Sequence, residues 1–519
     1  MEIVQPVLGL LAACIGIAVL ARLWRLPYAV LLILVGMVLA FMPARPDISL
    51  QPELALAFFL PPLLMGSAYR TDWRAFRRAL RPILLLALGA VVFTSFLVAF
   101  VARQLLPDIP WAAAIALGAI VAPPDAVAAA AVLARVRLPR SLVTILEGES
   151  LINDGSALVL YRLAVTAALA GATAPAYQVA GSFLVVGAGG VALGWLAARG
   201  ALWLIPRLGD TLLEICVSFL VCYGAFLGAE ALHVSGVLAV VTAGIMMGQG
   251  QYAAFSARTR LESRTIWEFF EFILTSLVFI LIGLSLNQTL DRIAHRGVLE
   301  LAGLAAAVSA ALILGRFAWV FPSAYISAWL AGRPPPSWRL LVVLCWAGMR
   351  GVVSLAAALA LPLGFPERDL IVFLAFTAIL ATLVLQGTTL EWVIKRLRVE
   401  ETGHPGGLDP AEAQARHIVA QAQLQALEAR AADVIDGPIA ADLLHEFRDR
   451  AGHLQRAARG GGAALAERVA RRRIRMDVLE VARVTLLRHH ADSGLHDEAL
   501  TKLNQELDLE QLRLDRALG

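Results

Sequence analysis

The chain has 519 residues, of which 59% are hydrophobic and only 16% are charged, whereas about a quarter of residues are charged in soluble globular proteins. This composition excludes an ordinary soluble domain and indicates a membrane protein. The four cysteines lie in apolar runs without a CxxC spacing, which argues against a disulfide framework and against a zinc site.

Charge is distributed unevenly along the chain. Residues 1–399 hold 20 acidic and 28 basic side chains, whereas residues 400–519 hold 20 and 16. The change predicts a transmembrane domain over 1–395 and a soluble, helical, cytoplasmic tail over 396–519. Because the tail is net acidic, no nucleic-acid partner is expected.

Thirteen segments are apolar over the roughly 20 residues that a membrane-crossing helix needs. They are predicted at 4–21, 28–44, 52–69, 82–102, 111–133, 142–170, 178–198, 211–230, 236–249, 266–288, 297–322, 340–362 and 369–394. Loops on one side hold 20 Lys and Arg side chains, and loops on the other side hold 5. Since basic loops stay in the cytoplasm, the sequence predicts an all-α, multi-pass inner-membrane protein with its N-terminus outside and its C-terminus in the cytoplasm.

A double proline interrupts the fifth segment, 119-AIVAPPDAVAAAAVL-133. Pro123 and Pro124 lack backbone N–H groups and clash with the preceding turn, so a helix break is predicted there. Irregular backbone at membrane depth is tolerated only where protein or water covers it. The alternative, a kink used only for packing, gives no reason for the carboxylate of Asp125 directly after the break.

The sixth segment carries a polar stripe in 145-ILEGESLINDGSALVLYRLA-164. On a helix, Ser150 lies one turn from Asp154, and Glu149 lies one turn from Asn153. Oxygen ligands of this kind suit hard cations such as Na+, and a carboxylate also accepts a proton. Competition between a cation and a proton for Asp154 is the simplest basis for antiport; the alternative is a polar seam between helices.

A second break is predicted in 346-WAGMRGVVSLAAALALPL-363, where Gly348 and Gly351 flank Arg350 and permit non-helical backbone. Interrupted spans in both halves of a chain point to inverted repeats with a binding site near the membrane midplane. Arg316 stands alone in another apolar segment and needs a carboxylate partner, for which Glu149 is the candidate.

The tail is predicted to form helices over 410–436, 438–459, 463–490 and 494–517, separated by glycines and a proline. It carries seven of the nine histidines, which titrate near neutral pH. One hypothesis is therefore a pH-sensing regulatory tail that binds an unidentified regulator. Ordinary solvated histidines are the alternative.

The motifs resemble the cation:proton antiporter family that includes the animal sodium/proton exchangers and their bacterial relatives. The resemblance covers essentially residues 1–395, and EGESLIND is its most specific motif. It rests on 59-FLPPLLMGSAYRTD-72, 119-AIVAPPDAVAAAAVL-133, 147-EGESLINDGSALVLY-161, 235-SGVLAVVTAGIMMG-248, 311-ALILGRFAWV-320 and 346-WAGMRGVVSLA-356.

This resemblance implies a homodimer in membrane lipid with thirteen spans per subunit, inverted repeats, two crossed broken helices and elevator-type alternating access. It assigns binding of Na+ and H+ to Asp154, with Asp125 as a second Na+ ligand and with Asn153 and Ser150 as helpers. It also implies sodium and proton transport in pH homeostasis, with no cofactor beyond the transported ions.

Further details follow from the family's motifs. The resemblance makes Glu149 and Arg316 a structural ion pair, and the Asn153–Asp154 pair goes with electroneutral exchange. Pro124 stands where many members have threonine, so one oxygen that could touch the ion is missing.

Three functions remain open: Na+/H+ antiport, antiport of K+ or Li+ for H+, and a membrane sensor that does not transport. No HExxH, GxSxG or P-loop motif occurs in the chain, which disfavours an enzyme.

Overall fold

A computed structural model describes residues 4–24, 27–41, 52–125, 136, 138–170, 176–293, 296–399, 410–431, 439–441, 443–448, 452, 462–493 and 497–516. The elements in these ranges are helices, and no described residue lies in a β-strand. The chain divides into two compact units, an N-terminal unit over 1–401 and a C-terminal unit over 402–519. The predicted domain boundary after residue 395 falls inside a helix that ends at Leu397.

The first part of the N-terminal unit leads up to the first break. Its helices are α1 (Val4–Trp24), α2 (Tyr28–Ala40), α3 (Pro52–Arg70), α4 (Trp73–Arg78), α5 (Leu80–Leu105) and α6 (Trp111–Val121). Helix α5 contains a π-helical segment, Leu85–Ala90. Such segments inside α-helices are rare and often lie at functional sites.

The rest of the N-terminal unit contains longer helices and the second break. Its helices are α7 (Arg140–Ala170), α8 (Ala176–Leu204), α9 (Thr211–Ala231), α10 (Gly236–Ala254), α11 (Ala257–Arg292), α12 (Val298–Leu330), α13 (Trp338–Trp346), α14 (Val352–Leu359) and α15 (Arg368–Leu397).

Six helices among the described residues are long and apolar enough to cross a membrane by length and composition. They are Leu80–Leu105, Leu184–Arg207, Thr211–Ala231, Gly236–Ala254, Val298–Leu330 and Arg368–Leu397. Helices that are apolar on all faces belong in lipid or in a large protein core.

Observed helices generally cover the predicted segments, and several extend further. Helix α11 begins at Ala257, well before the predicted residue 266. Its first turns are polar but carry two ion pairs of i,i+4 spacing, Arg258–Glu262 and Arg264–Glu268. Pairs of this spacing stabilise a helix by a few tenths of a kcal/mol, about 0.3–0.5. Hydropathy alone therefore places the start of this helix too late.

Both predicted helix breaks are present. Helix α6 ends at Val121, directly before the proline pair, and a non-helical stretch separates α13 from α14. The two breaks meet, since the Asp125 N–H donates to the Met349 carbonyl at 2.7 Å. The predicted continuation of the first broken helix over 126–133 lies outside the described residues.

Two apolar cores hold the N-terminal unit together. The larger core runs from α1 and α2 to α15 and includes Leu32 and Phe279, both fully buried. The smaller core lies mainly among α3, α8, α9 and α10 and includes Met65 and Val240. The crossing of the breaks lies against the larger core, where Met349 and Ala347 are buried.

The C-terminal unit is helical in its described part, as predicted. Its main helices are α16 (Pro410–Ala431), α17 (Gly462–Ser493) and α18 (Asp497–Arg516). Arg483 of α17 donates to Asp508 of α18 at 2.5 Å, and Leu514 is buried. Leu509 and Leu512 are exposed within this chain.

Candidate functional site

The polar stripe of α7 is largely buried. Glu149, Asn153 and Asp154 are 1%, 0% and 6% exposed, and Ser150 is half-buried. Burying an ionised carboxylate without compensation is costly, so this position is suited to a carboxyl group that binds either a proton or a cation.

The first break is held by side chains from other elements. Asn153 donates from Nδ2 to the Pro124 carbonyl at 2.8 Å, and Arg350 donates from Nη1 to the Ala122 carbonyl. Because the Asn153 amide nitrogen faces Pro124, its Oδ1 points elsewhere. This oxygen is buried and has no hydrogen-bond partner among the described residues, which leaves it able to act as a ligand.

Asp125 packs directly on the second break. A Cβ atom at Gly351 would lie 1.6 Å from an Asp125 carboxylate oxygen, so the position has room only for glycine. The backbone at Gly351 has φ −147°, and no positive φ is required there. The backbone leaves the helix here as predicted, and close approach of the carboxylate is a further reason for a glycine.

Asp125 of the first break and Asp154 of α7 are linked through their neighbours, since Asn153, next to Asp154, donates to the carbonyl of Pro124, next to Asp125. Together with Asn153 Oδ1, they form a group of oxygen atoms of the type that binds hard cations. The candidate site is this group, at the crossing of the two breaks.

Glu149 and Arg316 form a buried, bidentate ion pair. The two hydrogen bonds from Arg316 to Glu149 measure 2.5 and 2.8 Å, and both side chains are at most 4% exposed. Arg316 also donates from Nη2 to the Leu344 carbonyl at 3.1 Å, close to the end of α13. A Cβ atom at Gly348 would lie 2.6 Å from Arg316 Cδ and Nε. Arg316 therefore joins α7 to the second break, and Gly348 leaves room for it.

Arg350 is almost fully buried at the crossing, with 2% exposure. It joins the second break to the first, because its side chain bonds to Ala122, while its own N–H donates to Thr382 Oγ1 of α15 at 3.2 Å. The Ala122 carbonyl is an acceptor for the buried guanidinium, whereas Arg350 Nε has no hydrogen-bond partner among the described residues.

The sequence analysis missed the contribution of the π-helical segment in α5. Ser156 donates to the Ala87 carbonyl at 2.6 Å, and Trp319 Nε1 donates to the Leu85 carbonyl at 2.9 Å. Ser156 lies half a turn beyond Asp154 on α7. The run 85-LLALGA-90 is apolar and carries no signal for a π-helix. Thr382 was missed as well, because a threonine in an apolar helix is an ordinary residue.

Comparisons with known proteins agree with this fold. A family model described as "Sodium/hydrogen exchanger, transmembrane" matches residues 9–396. The chain belongs to the sodium/hydrogen exchanger family. An uncharacterised Na+/H+ exchanger of Mycobacterium bovis is 34% identical over 98% of this chain and 95% of its own length.

Two further comparisons extend this result. A sodium, potassium, lithium and rubidium/H+ antiporter of Bacillus pumilus is 33% identical over 75% of this exchanger and 61% of its own length. The solved structure of the sodium proton antiporter MjNhaP1 from Methanocaldococcus jannaschii aligns with a TM-score of 0.59 at 20% identity, over 76% of this chain and 99% of that one. The family predicted from the motifs is confirmed, and with it a multi-pass membrane protein of a transporter family.

Proposed function

We propose that this exchanger is a Na+/H+ antiporter in which Na+ and H+ compete for Asp154. The observation that carries the proposal is the burial of Asp154, whose neighbour Asn153 bonds to Pro124 next to a second carboxylate, Asp125, at the crossing of two broken helices. Binding of a proton or of a cation removes the cost of a buried negative charge. The empty, charged state is thereby disfavoured, which couples the two fluxes.

Each site residue has a role in this proposal. Asp154 and Asp125 are the Na+ ligands, and Asn153 contributes its Oδ1. Ser150 lies one turn before Asp154 and assists from the same face of α7. Glu149 and Arg316 keep α7 in register with the second break.

Exchange is proposed to be electroneutral. Asn153 cannot ionise and already donates to Pro124, so it adds no second proton to the cycle. Na+ and H+ are the substrates, and the mechanism needs no cofactor. The remaining architecture, thirteen spans with inverted repeats in a homodimer that moves as an elevator, is part of the same proposal.

The proposal also includes the orientation of the protein in the membrane and a role for its tail. The N-terminus is placed outside the cell and the C-terminal unit in the cytoplasm of an inner-membrane protein, because the basic loops favour that side. The tail, predicted to begin at residue 396, is proposed to regulate transport in response to pH or to an unidentified partner.

Antiport of K+ or Li+ is the alternative within the same mechanism. The name of the Bacillus pumilus relative includes potassium and lithium, and Pro124 supplies no side-chain oxygen to the site. Selectivity must therefore be measured directly.

The test is proton efflux from acid-loaded proteoliposomes on addition of Na+, K+ or Li+. Wild-type protein is expected to release protons with Na+, and Asp154→Asn is expected to abolish release, whereas Asp125→Asn reduces it severely. Release with K+ alone would keep the mechanism and change the substrate. If no cation caused proton release over a broad pH range, with or without the tail, the result would favour the non-transporting sensor.

A further inference from the structure

The peptide bond between Met349 and Arg350 is held from both sides by other elements. Its carbonyl accepts a hydrogen bond from the Asp125 N–H at 2.7 Å, and its N–H donates to Thr382 Oγ1 at 3.2 Å. Since the C=O and N–H of one peptide unit lie in one plane, these two contacts fix the orientation of that plane. The peptide links α15 to the first break.

Thr382 is suited to accept this hydrogen bond. It lies in α15 with 1% exposure, and its hydroxyl donates to the Ala378 carbonyl at 2.9 Å, one turn earlier. With its proton directed at that carbonyl, the oxygen still has a lone pair for the Arg350 N–H. Valine would match the shape of threonine but could not accept a hydrogen bond.

The second break needs such an acceptor. Arg350 precedes Gly351, the residue before helix α14, so its N–H lies outside the helix and has no helical acceptor. Because Arg350 is buried, another group of the protein must accept this hydrogen bond. Among the described residues, Thr382 is the side chain that accepts from the break at Arg350.

We propose that Thr382 is a positioning residue for the cation site. By orienting the Met349–Arg350 peptide, it holds the backbone of Asp125, and thereby the distance between the carboxylates of Asp125 and Asp154. Thr382 itself does not touch the ion. This inference rests on the proposed antiport function and adds a residue of α15 to the machinery.

Loss of the hydroxyl is expected to change ion binding more than folding. A buried N–H left without an acceptor frees the peptide to rotate, and Asp125 then loses its fixed place. We expect Thr382→Val to raise the KM for Na+ roughly tenfold, in line with the cost of one unsatisfied buried group. The pH profile should shift with it, because H+ and Na+ compete for the same carboxyl group.

The experiment measures Na+-dependent proton exchange in proteoliposomes over a series of Na+ concentrations and pH values. It compares the wild type with Thr382→Val and Thr382→Ser, and with Thr377→Val as the matched control. Thr377 lies in the same helix, and its hydroxyl donates to the Leu374 carbonyl at 3.0 Å. Thr382→Ser and Thr377→Val should keep KM within about twofold of wild type, since each keeps the hydrogen bond to Arg350.

The outcomes separate the two proposals. Wild-type KM and pH profile in Thr382→Val would overturn the positioning role, and so would equal damage in Thr382→Ser or Thr377→Val. If Thr382→Val fails to elute as folded protein, Thr382→Ala takes its place with the same expected rise in KM. If neither the wild type nor Thr377→Val exchanged protons for Na+, Na+/H+ antiport would instead be refuted, and with it the role of Thr382 in Na+ binding.

Discussion

Two proline pairs lie within apolar segments of the N-terminal unit, and they have opposite effects on their helices. Pro61 and Pro62 lie inside α3, which continues through them. Before Pro123 and Pro124, helix α6 ends at Val121. Both pairs remove two backbone donors, so the prolines alone do not decide whether a helix ends.

In α3, one side chain compensates for the lost donor. An uninterrupted helix would bond the N–H of residue 62 to the carbonyl of Phe58. Pro62 has no N–H, and the Tyr223 hydroxyl donates to the Phe58 carbonyl at 3.1 Å instead. Helix α3 remains continuous, and Tyr223 of α9 supplies one replacement for a lost backbone donor.

At the other pair, other elements bond to the backbone in a non-helical arrangement. The carbonyls of Ala122 and Pro124 accept from Arg350 and Asn153, and the Asp125 N–H bonds to the second break. The break is thus a tertiary structure in which buried polar side chains replace helical hydrogen bonds. The cation site depends on these replacements, whereas α3 needs only a local repair.

The largest effect is expected from removing the buried charge that anchors the second break. Arg316→Met would leave Glu149 ionised and unpaired, at a cost of about 3–5 kcal/mol, and folded protein should be lost. The check is the yield of the monodisperse peak in size-exclusion chromatography. Arg162→Met is the matched control, because Arg162 pairs with Glu230 at a site where it is 48% exposed, and exposed pairs contribute about 0–1 kcal/mol.

The charge-swapped variant sharpens this test. Glu149→Arg with Arg316→Glu restores opposite charges, but a glutamate cannot donate to the Leu344 carbonyl as Arg316 does. Recovery of yield should therefore be partial. Full recovery would show that the bond to Leu344 contributes nothing, and no recovery would contradict the pairing as the reason for the loss.

Arg350→Met is expected to impair transport while the protein still folds. Methionine fills a similar volume without a charge, and the loss of the bond to Ala122 costs about 1–3 kcal/mol. Exchange in proteoliposomes should fall at least roughly tenfold, with a normal elution profile. Wild-type exchange in this variant would mean that the first break keeps its shape without Arg350.

Asn153→Asp should reduce exchange by a smaller factor, roughly three- to tenfold. A carboxylate at 153 cannot donate to the Pro124 carbonyl and would repel it. The measurement is exchange with and without a clamped membrane potential. If the variant exchanged at full rate and became sensitive to the potential, the hydrogen bond to Pro124 would be dispensable, and residue 153 would set only the transported charge.

Much of this architecture could be predicted from the sequence, because lipid imposes strong rules. The apolar segments of the sequence predicted most helix positions. Asp125, Asp154 and Arg350 stood out as charged residues inside such segments. The pairing of Glu149 with Arg316 was proposed on charge alone, and the two side chains do meet. Each of these expectations follows from the cost of burying charge or backbone in an apolar medium.

Other features could not be predicted, because they depend on which atoms meet after folding. The roles of Thr382 and Tyr223 lie in single hydrogen bonds to distant backbone groups. The close approach of Asp125 to Gly351 is likewise a contact between distant parts of the chain. A sequence pattern of spacing and polarity contains no information on such contacts.

The smallest effect is expected at the continuous helix, where Tyr223→Phe removes one hydrogen bond. The cost should be about 0.5–1.5 kcal/mol, seen as a melting temperature lowered by a few degrees, with transport unchanged. Pro62→Ala restores an N–H that can bond to the Phe58 carbonyl, so Tyr223→Phe should cost nothing further in that background. A double-mutant cycle isolates this coupling. Additive effects of the two substitutions would show that Tyr223 does not replace the donor lost at Pro62, and the contrast between the two proline pairs would then need another cause.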